Sequence, residues 1–184
     1  MVNIDPYSEL NDFIAISLGF SKETVNLIDN FSKLFDYVTE QTGKICLFTP
    51  FYYLKDYEFS SKIATKMKNK SYILETILLP SEMLSLLKRA YLGIGMRLHF
   101  IIFLAINEKP TLPFLYDPKV KAYSQILNLN CALKGNMNLD EMKKEFDKFY
   151  SISATNMQLS EKVKELKEKN SLNVETLKAF LQNA

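Results

Sequence analysis

Apolar positions first gather into a short unbroken run, Phe13-Ile-Ala-Ile-Ser-Leu18, which Gly19 ends. Brief β-branched runs bounded by turn formers predict buried strands, and Lys44 to Phe48, stopped by Pro50, is a second one. Between them the period lengthens: Val25, Ile28, Phe31, Phe35 and Val38 recur at helical spacing, with Ser21 placed to cap a helix and Thr42-Gly43 to end it. The pattern then repeats. Helices are expected from about Tyr57 to Met67, from Pro80 to Lys88, from Gly95 through Ala105, and from Pro118 to about Leu127. Strands are expected at Tyr72 to Glu75, Ala90 to Ile94 and Thr111 to Leu115, with a weak sixth at Asn130 to Leu133. Beyond it the chain turns polar, with helical stripes over 140–149, 154–169 and 173–181. The mixed-sign run Glu161 to Lys169 reads as a solvated helix face.

Parallel strands need crossover connections that pack on the sheet, so strict alternation of strand and helix predicts an α/β, doubly wound, mostly parallel sheet covered on both faces. Residues 1–12 are expected to be a linker or N-terminal extension, and 13–184 one domain that includes the C-terminal helices from about 140. A length of 184 residues, 47% of them hydrophobic and 24% charged, suits such a domain and excludes disorder as a whole. Twenty-three basic against 21 acidic residues leave a net charge of +2, so any anion site must be local and nothing calls for a nucleic-acid partner. One histidine, His99, excludes a multi-histidine metal site, and Cys46 and Cys131 lack the paired spacing of a disulfide or zinc framework. No uncharged stretch has the length of a membrane helix, and the first residues lack the order of a signal peptide. A cytoplasmic protein is expected, with no metal and no cofactor.

In open α/β sheets ligands bind beyond the carboxyl ends of the strands, where strand order reverses. With order 3-2-1-4-5 that crevice lies between the first and fourth strands, walled by Ser17 to Phe20 and by Gly95-Met-Arg-Leu-His99. Arg97 and His99 then stand at a helix start whose free N–H groups and dipole favour an anion. Asp117-Pro118-Lys119 places a second helix start, with its own cap and a lysine, after the neighbouring strand. Both residues also have plain structural readings, Arg97 as the partner of a carboxylate and His99 as a core residue. Other constellations fail. Gly93-Ile-Gly95 begins a dinucleotide fingerprint, but Leu98 stands where its third glycine belongs, and no phosphate-loop, nucleophile-elbow or HExxH pattern exists. The aromatic residues Phe48, Phe51, Tyr52, Tyr53 and Tyr57 suit core and loop packing or a stacking platform, and Glu75 a polar contact or a cap.

The segment Gly95-Met-Arg-Leu-His-Phe-Ile-Ile-Phe-Leu-Ala105, followed by Tyr116-Asp-Pro-Lys-Val120, resembles the polysaccharide pyruvyl transferase family. Pro80-Ser-Glu82, Ala90, Thr49-Pro-Phe51 and Asp56 extend the resemblance over roughly Ile14 to Leu127. It implies a Rossmann-like domain, the C-terminal and donor-binding half of a two-domain architecture like that of the GT-B glycosyltransferases. It further implies transfer of pyruvate from phosphoenolpyruvate to a polysaccharide-precursor sugar as a ketal, with a sugar or lipid-linked oligosaccharide acceptor held by a domain this chain lacks, peripheral to the cytoplasmic membrane face. On that reading His99 is catalytic, Arg97 binds carboxylate or phosphate in a fork, and Gly95, Leu98, Tyr116, Asp117 and Lys119 complete the donor site. The chain departs from the family pattern at Gly19-Phe20, where a basic residue is common. The alternatives are half of a nucleotide-sugar glycosyltransferase and a noncatalytic α/β interaction domain.

Overall fold

The computed structural model describes residues 10–153 and 161–169. Six strands, β1 (Phe13–Ser17), β2 (Cys46–Phe48), β3 (Ser71–Ile73), β4 (Ala90–Gly95), β5 (Thr111–Leu115) and β6 (Leu133–Lys134), form one sheet of order β3-β2-β1-β4-β5-β6. Every neighbouring pair is parallel. The helices α1 (Ile28–Thr42), α2 (Tyr53–Ala64), α3 (Pro80–Lys88), α4 (Leu98–Ile106), α5 (Pro118–Ile126) and α6 (Leu139–Ser153) connect or follow them, and 161–169 is a further helical stretch. The expected α/β, doubly wound, Rossmann-like sheet is the one observed.

Strand periodicity splits the core in two. Ile14, Ile16 and Leu18 point into a cluster with Phe31, Phe35, Phe48 and Phe146, on the side of α1, α2 and α6. Phe13 and Ala15 point the other way, into a cluster with Leu86, Leu87, Phe100 and Leu104 from α3 and α4. Every residue of β1 is buried, as a central parallel strand covered on both faces requires. Edge-to-face packing of Phe31 on Phe114 and of Phe35 on Phe48, at centroid separations of 5.6 and 5.7 Å, ties the first cluster across the sheet.

Gly93 and Gly95 acquire a packing role here. They alternate with Leu92 and Ile94 on β4 and with Met96 just after it, which face the opposite cluster. A Cβ at Gly93 would collide with Leu104, and one at Gly95 would lie 2.7 Å from the Phe100 ring and from the Ser17 carbonyl oxygen. The two glycines let α4 descend onto the sheet, so the start of α4 sits close to the end of β1.

Several boundaries differ from expectation. Ser21 does not cap α1. The Thr24 hydroxyl instead donates to the Gly19 carbonyl at 2.7 Å and accepts from the Ser21 amide at 2.8 Å. This local side-chain competition for backbone groups holds 22–26 in turns and delays the helix to Ile28. Val25 is accordingly exposed and outside the apolar stripe. Gly43 closes α1 as expected, in the left-handed region at φ 66°, with its N–H bonded to the Thr39 carbonyl. Helix α2 begins at Tyr53, four residues early, because the Asp56 carboxylate accepts the Tyr52 N–H at 2.9 Å and stabilises the first turn. The sixth strand forms at Leu133–Lys134, slightly beyond its expected place, against Phe114 and Leu115. Helix α6 runs to Ser153, past the expected 149. In the 161–169 stretch, Glu165 bonds both Lys162 and Lys169, while Val163 is buried against the α3–α4 side. The expected helix over 173–181 lies outside the described residues, as do 154–160.

Candidate active site

Gly19, Asp56, Arg97 and Tyr116 meet at the carboxyl ends of β1, β2, β4 and β5. Arg97 ends the β4–α4 turn and is the N-cap residue of α4, its carbonyl accepting the Ile101 N–H at 3.1 Å. Its guanidinium donates through Nε to Asp56 Oδ2 at 2.9 Å and through Nη2 to Asp56 Oδ1. Asp56, fully buried, comes from the first turns of α2, and Arg97 retains 23% of its side-chain exposure. The side edge of the guanidinium is therefore spent on a protein carboxylate, whereas the fork was expected on a ligand. Of the five N–H donors of arginine two are used there, and the Tyr116 phenol is a further hydrogen-bonding neighbour of the guanidinium. Burial would by itself lower the Arg97 pKa. Hydrogen bonding and charge from Asp56, and then from the nearby Tyr116 phenol, outweigh it and hold the pKa above its ordinary value.

Gly19 makes this pairing possible. A Cβ at that position would collide with both Arg97 Nη2 and Asp56 Oδ1. The chain leaves β1 directly over the ion pair, held by the Gly19 N–H lying 3.1 Å from Met96 Sδ. Among the described residues the one buried side-chain polar atom without a partner is Ser17 Oγ. Ser17 alternates with Phe13 and Ala15, which places it on the α4 face of the sheet opposite Gly95.

The two helix starts that face the crevice differ. No side chain caps the first turn of α4, which leaves the amides of Leu98, His99 and Phe100 open to an anion. At α5, Asp117 accepts the Lys119 N–H at 2.7 Å and Pro118 fills the first helical position. Lys119 itself is exposed, and Tyr116 is half-buried between the two core clusters. His99 stands apart from the Arg97 cluster. It is exposed and lines an apolar cavity of about 220 Å³ with Phe51, Tyr53, Met83 and Phe103. Phe51 packs edge-on against Phe100 at 5.7 Å, so part of the expected aromatic cluster is core. The Tyr53 hydroxyl donates to the Glu75 carbonyl, so the polar contact at Glu75 is made by its backbone. Among the described residues no group of histidine, cysteine, aspartate or glutamate side chains is arranged to hold a metal ion. None of their helices is long and apolar enough to cross a membrane.

The all-parallel, doubly wound sheet is Rossmann-like and of the GT-B type, and solved structures similar to the chain share that fold. UDP-GlcNAc 2-epimerase of Methanocaldococcus jannaschii, in complex with UDP-GlcNAc and UDP, matches at 17% identity and a TM-score of 0.62, over 80% of this chain and 40% of its own. MnaA of S. aureus, solved with UDP, matches at 12% identity and 0.59, over 82% and 40%. The UDP-forming α,α-trehalose-phosphate synthase of Burkholderia vietnamiensis matches at 10% identity and 0.55, over 95% and 46%. The chain thus spans less than half the length of each. The family profile of polysaccharide pyruvyl transferases matches residues 3–118, which hold the site described apart from Lys119, and the chain belongs to that family. No protein with a curated description matches the sequence closely enough to count as a relative.

Proposed function

We propose that the chain is the donor-binding half of a pyruvyl transferase that moves pyruvate from phosphoenolpyruvate onto two hydroxyls of a polysaccharide-precursor sugar. The observation that carries this reading is the uncapped α4 terminus beside an arginine locked in place by a buried carboxylate. The Arg97–Asp56 pair is electrically neutral overall. Attraction for a trianionic donor therefore comes from the Leu98, His99 and Phe100 amides and from Lys119, while the N–H donors of Arg97 not spent on Asp56 or Tyr116 orient a carboxylate or phosphate. Tyr116 steadies Arg97, Asp117 fixes the turn that carries Lys119, and Gly95 lets α4 approach.

In the reaction a proton adds to the donor's methylene carbon, which becomes the methyl group. One sugar oxygen bonds to the adjacent carbon, the carbon–oxygen bond to phosphate breaks, and a second sugar oxygen bonds to the same carbon to close the ketal. The two hydroxyls release two protons; one balances the proton added to carbon and the other leaves with phosphate. His99, exposed on the rim of an apolar cavity, is the proton donor to carbon.

The exposed apolar residues Phe20, Tyr52, Leu54, Ile77 and Leu79 follow the carboxyl ends of β1, β2 and β3, on the side of the sheet where the donor would lie. A second domain carrying the sugar or lipid-linked acceptor would cover them, in the cytoplasm at the membrane face. Calorimetric titration of phosphoenolpyruvate, with UDP-GlcNAc as the control ligand, tests the donor assignment. Saturable binding of phosphoenolpyruvate alone, weakened at least tenfold by Arg97→Lys, is expected. Preference for UDP-GlcNAc would replace the reading with a nucleotide-sugar transferase.

A further inference from the structure

A second cleft, of about 630 Å³, opens between the segment that follows β1, the end of β5, α5 and the end of β6. Three lysines from three separate segments line it: Lys22 from the turn after β1, Lys121 from α5, and Lys134 from the end of β6. Glu23 is the one acidic side chain in its lining, so the cleft carries a formal charge of +2, as much as the entire chain. None of these lysines is paired with a carboxylate among the described residues.

The cleft is also built into the fold. Gly135 packs its backbone against Glu23, where a Cβ would lie 2.9 Å from the Glu23 Cβ and 3.2 Å from its carbonyl oxygen. That contact brings the β6–α6 turn against the turn after β1 and converts two loops into one wall. Asn26 and Asn136 add amides that both donate and accept, and Leu115 supplies an apolar floor. Leu115 directly precedes Tyr116, so the cleft adjoins the donor crevice.

We infer that this cleft is a second binding site, for a phosphate-bearing saccharide. Lysines act as point charges that take phosphate, amides match sugar hydroxyls, and an apolar surface packs against the carbon face of a sugar ring. The volume lies in the range of small-ligand pockets. The inference goes beyond the donor assignment and does not depend on it, because its residues and its ligand are different.

The probe is α-D-glucose 1-phosphate, followed by heteronuclear NMR of the full chain, with glucose and inorganic phosphate as controls. The variants are Lys22→Ala/Lys134→Ala and, separately, Lys121→Ala, all exposed positions that leave the core intact. The expected result is saturable binding of glucose 1-phosphate, tighter than of either control and weakened at least tenfold in the double variant. Phosphoenolpyruvate binding should be unchanged in the same variant. Glucose 1-phosphate binding equally well to wild type and double variant, no tighter than inorganic phosphate, or not at all at millimolar concentration, would overturn the inference. Loss of phosphoenolpyruvate binding alone would count against the donor assignment and leave the second site standing.

Discussion

Helices α4 and α5 begin on the same side of the sheet, follow adjacent strands and have the same length, yet their first turns are finished in opposite ways. In α5 the chain supplies its own anion: Asp117 bonds the Lys119 amide, and proline removes a further donor. In α4 the cap position holds an arginine whose side chain is turned away to Asp56, so the first-turn amides have no side-chain partner. A helix start that satisfies itself contributes stability, whereas one left open gives up about 1 kcal/mol and gains a place for a ligand's charge. The difference teaches that the helix terminus alone does not define the site; the residue at its cap does.

Breaking the α4 side is expected to have the largest effect. Arg97→Ala leaves Asp56 buried with only the Tyr52 amide as a partner, and should cost about 3 kcal/mol in chemical denaturation, toward the low end for a broken buried pair because Arg97 is partly exposed. Gly19→Ala forces the same pair apart from the opposite direction and should cost about as much while also lowering anion affinity. Lys119→Ala, by contrast, should leave stability within about 0.5 kcal/mol.

On the α5 side, Asp117→Ala should cost about 1 kcal/mol and expose the first-turn amides, making α5 more like α4. A gain rather than a loss is expected from Ser17→Ala, by about 1 kcal/mol, because it removes a buried hydroxyl that has no partner. Equal or lower stability in urea titration would show that the hydroxyl is satisfied in solution.

The smallest effect at neutral pH belongs to Cys46, behind the crevice in β2. Burial, the largest influence, pushes its thiol from 9.0 up to about 12. A folded-state pKa raised in this way adds stability that is complete below about pH 9 and is lost as the pH rises toward 12. Cys46 should therefore resist alkylation at pH 8 in the folded protein and react once the chain is unfolded. Alkylation at the unfolded rate would contradict the packing of β2.

Much of this architecture was legible along the chain, because β1, β4 and β5 are unbroken apolar runs and α1 keeps its apolar stripe from Ile28 to Val38. The start of α1 was not, since Ser21 looks like a cap until Thr24 is seen bonded to the Gly19 carbonyl. Arg97, Tyr116 and Asp117 were legible as crevice residues from their places after β4 and β5. The Arg97 partner was not identified from pattern, because Asp56 lies 41 residues away and their pairing depends on where α2 begins. The signal was present in topology: both residues follow carboxyl ends of central strands, and Gly19 between them has no side chain. The separation of His99 from Arg97 was equally hidden, since Arg97 is the extended cap residue of α4 and His99 already belongs to its first turn.

The most direct test of the account is an amide-resolved NMR titration of the chain with phosphoenolpyruvate. The predicted result is saturating shifts at the Leu98, His99 and Phe100 amides, with the Lys119 amide, already bonded to Asp117, shifting little. Equal shifts at both helix starts, or shifts confined to α5, would contradict the claim that the open cap at α4 defines the site.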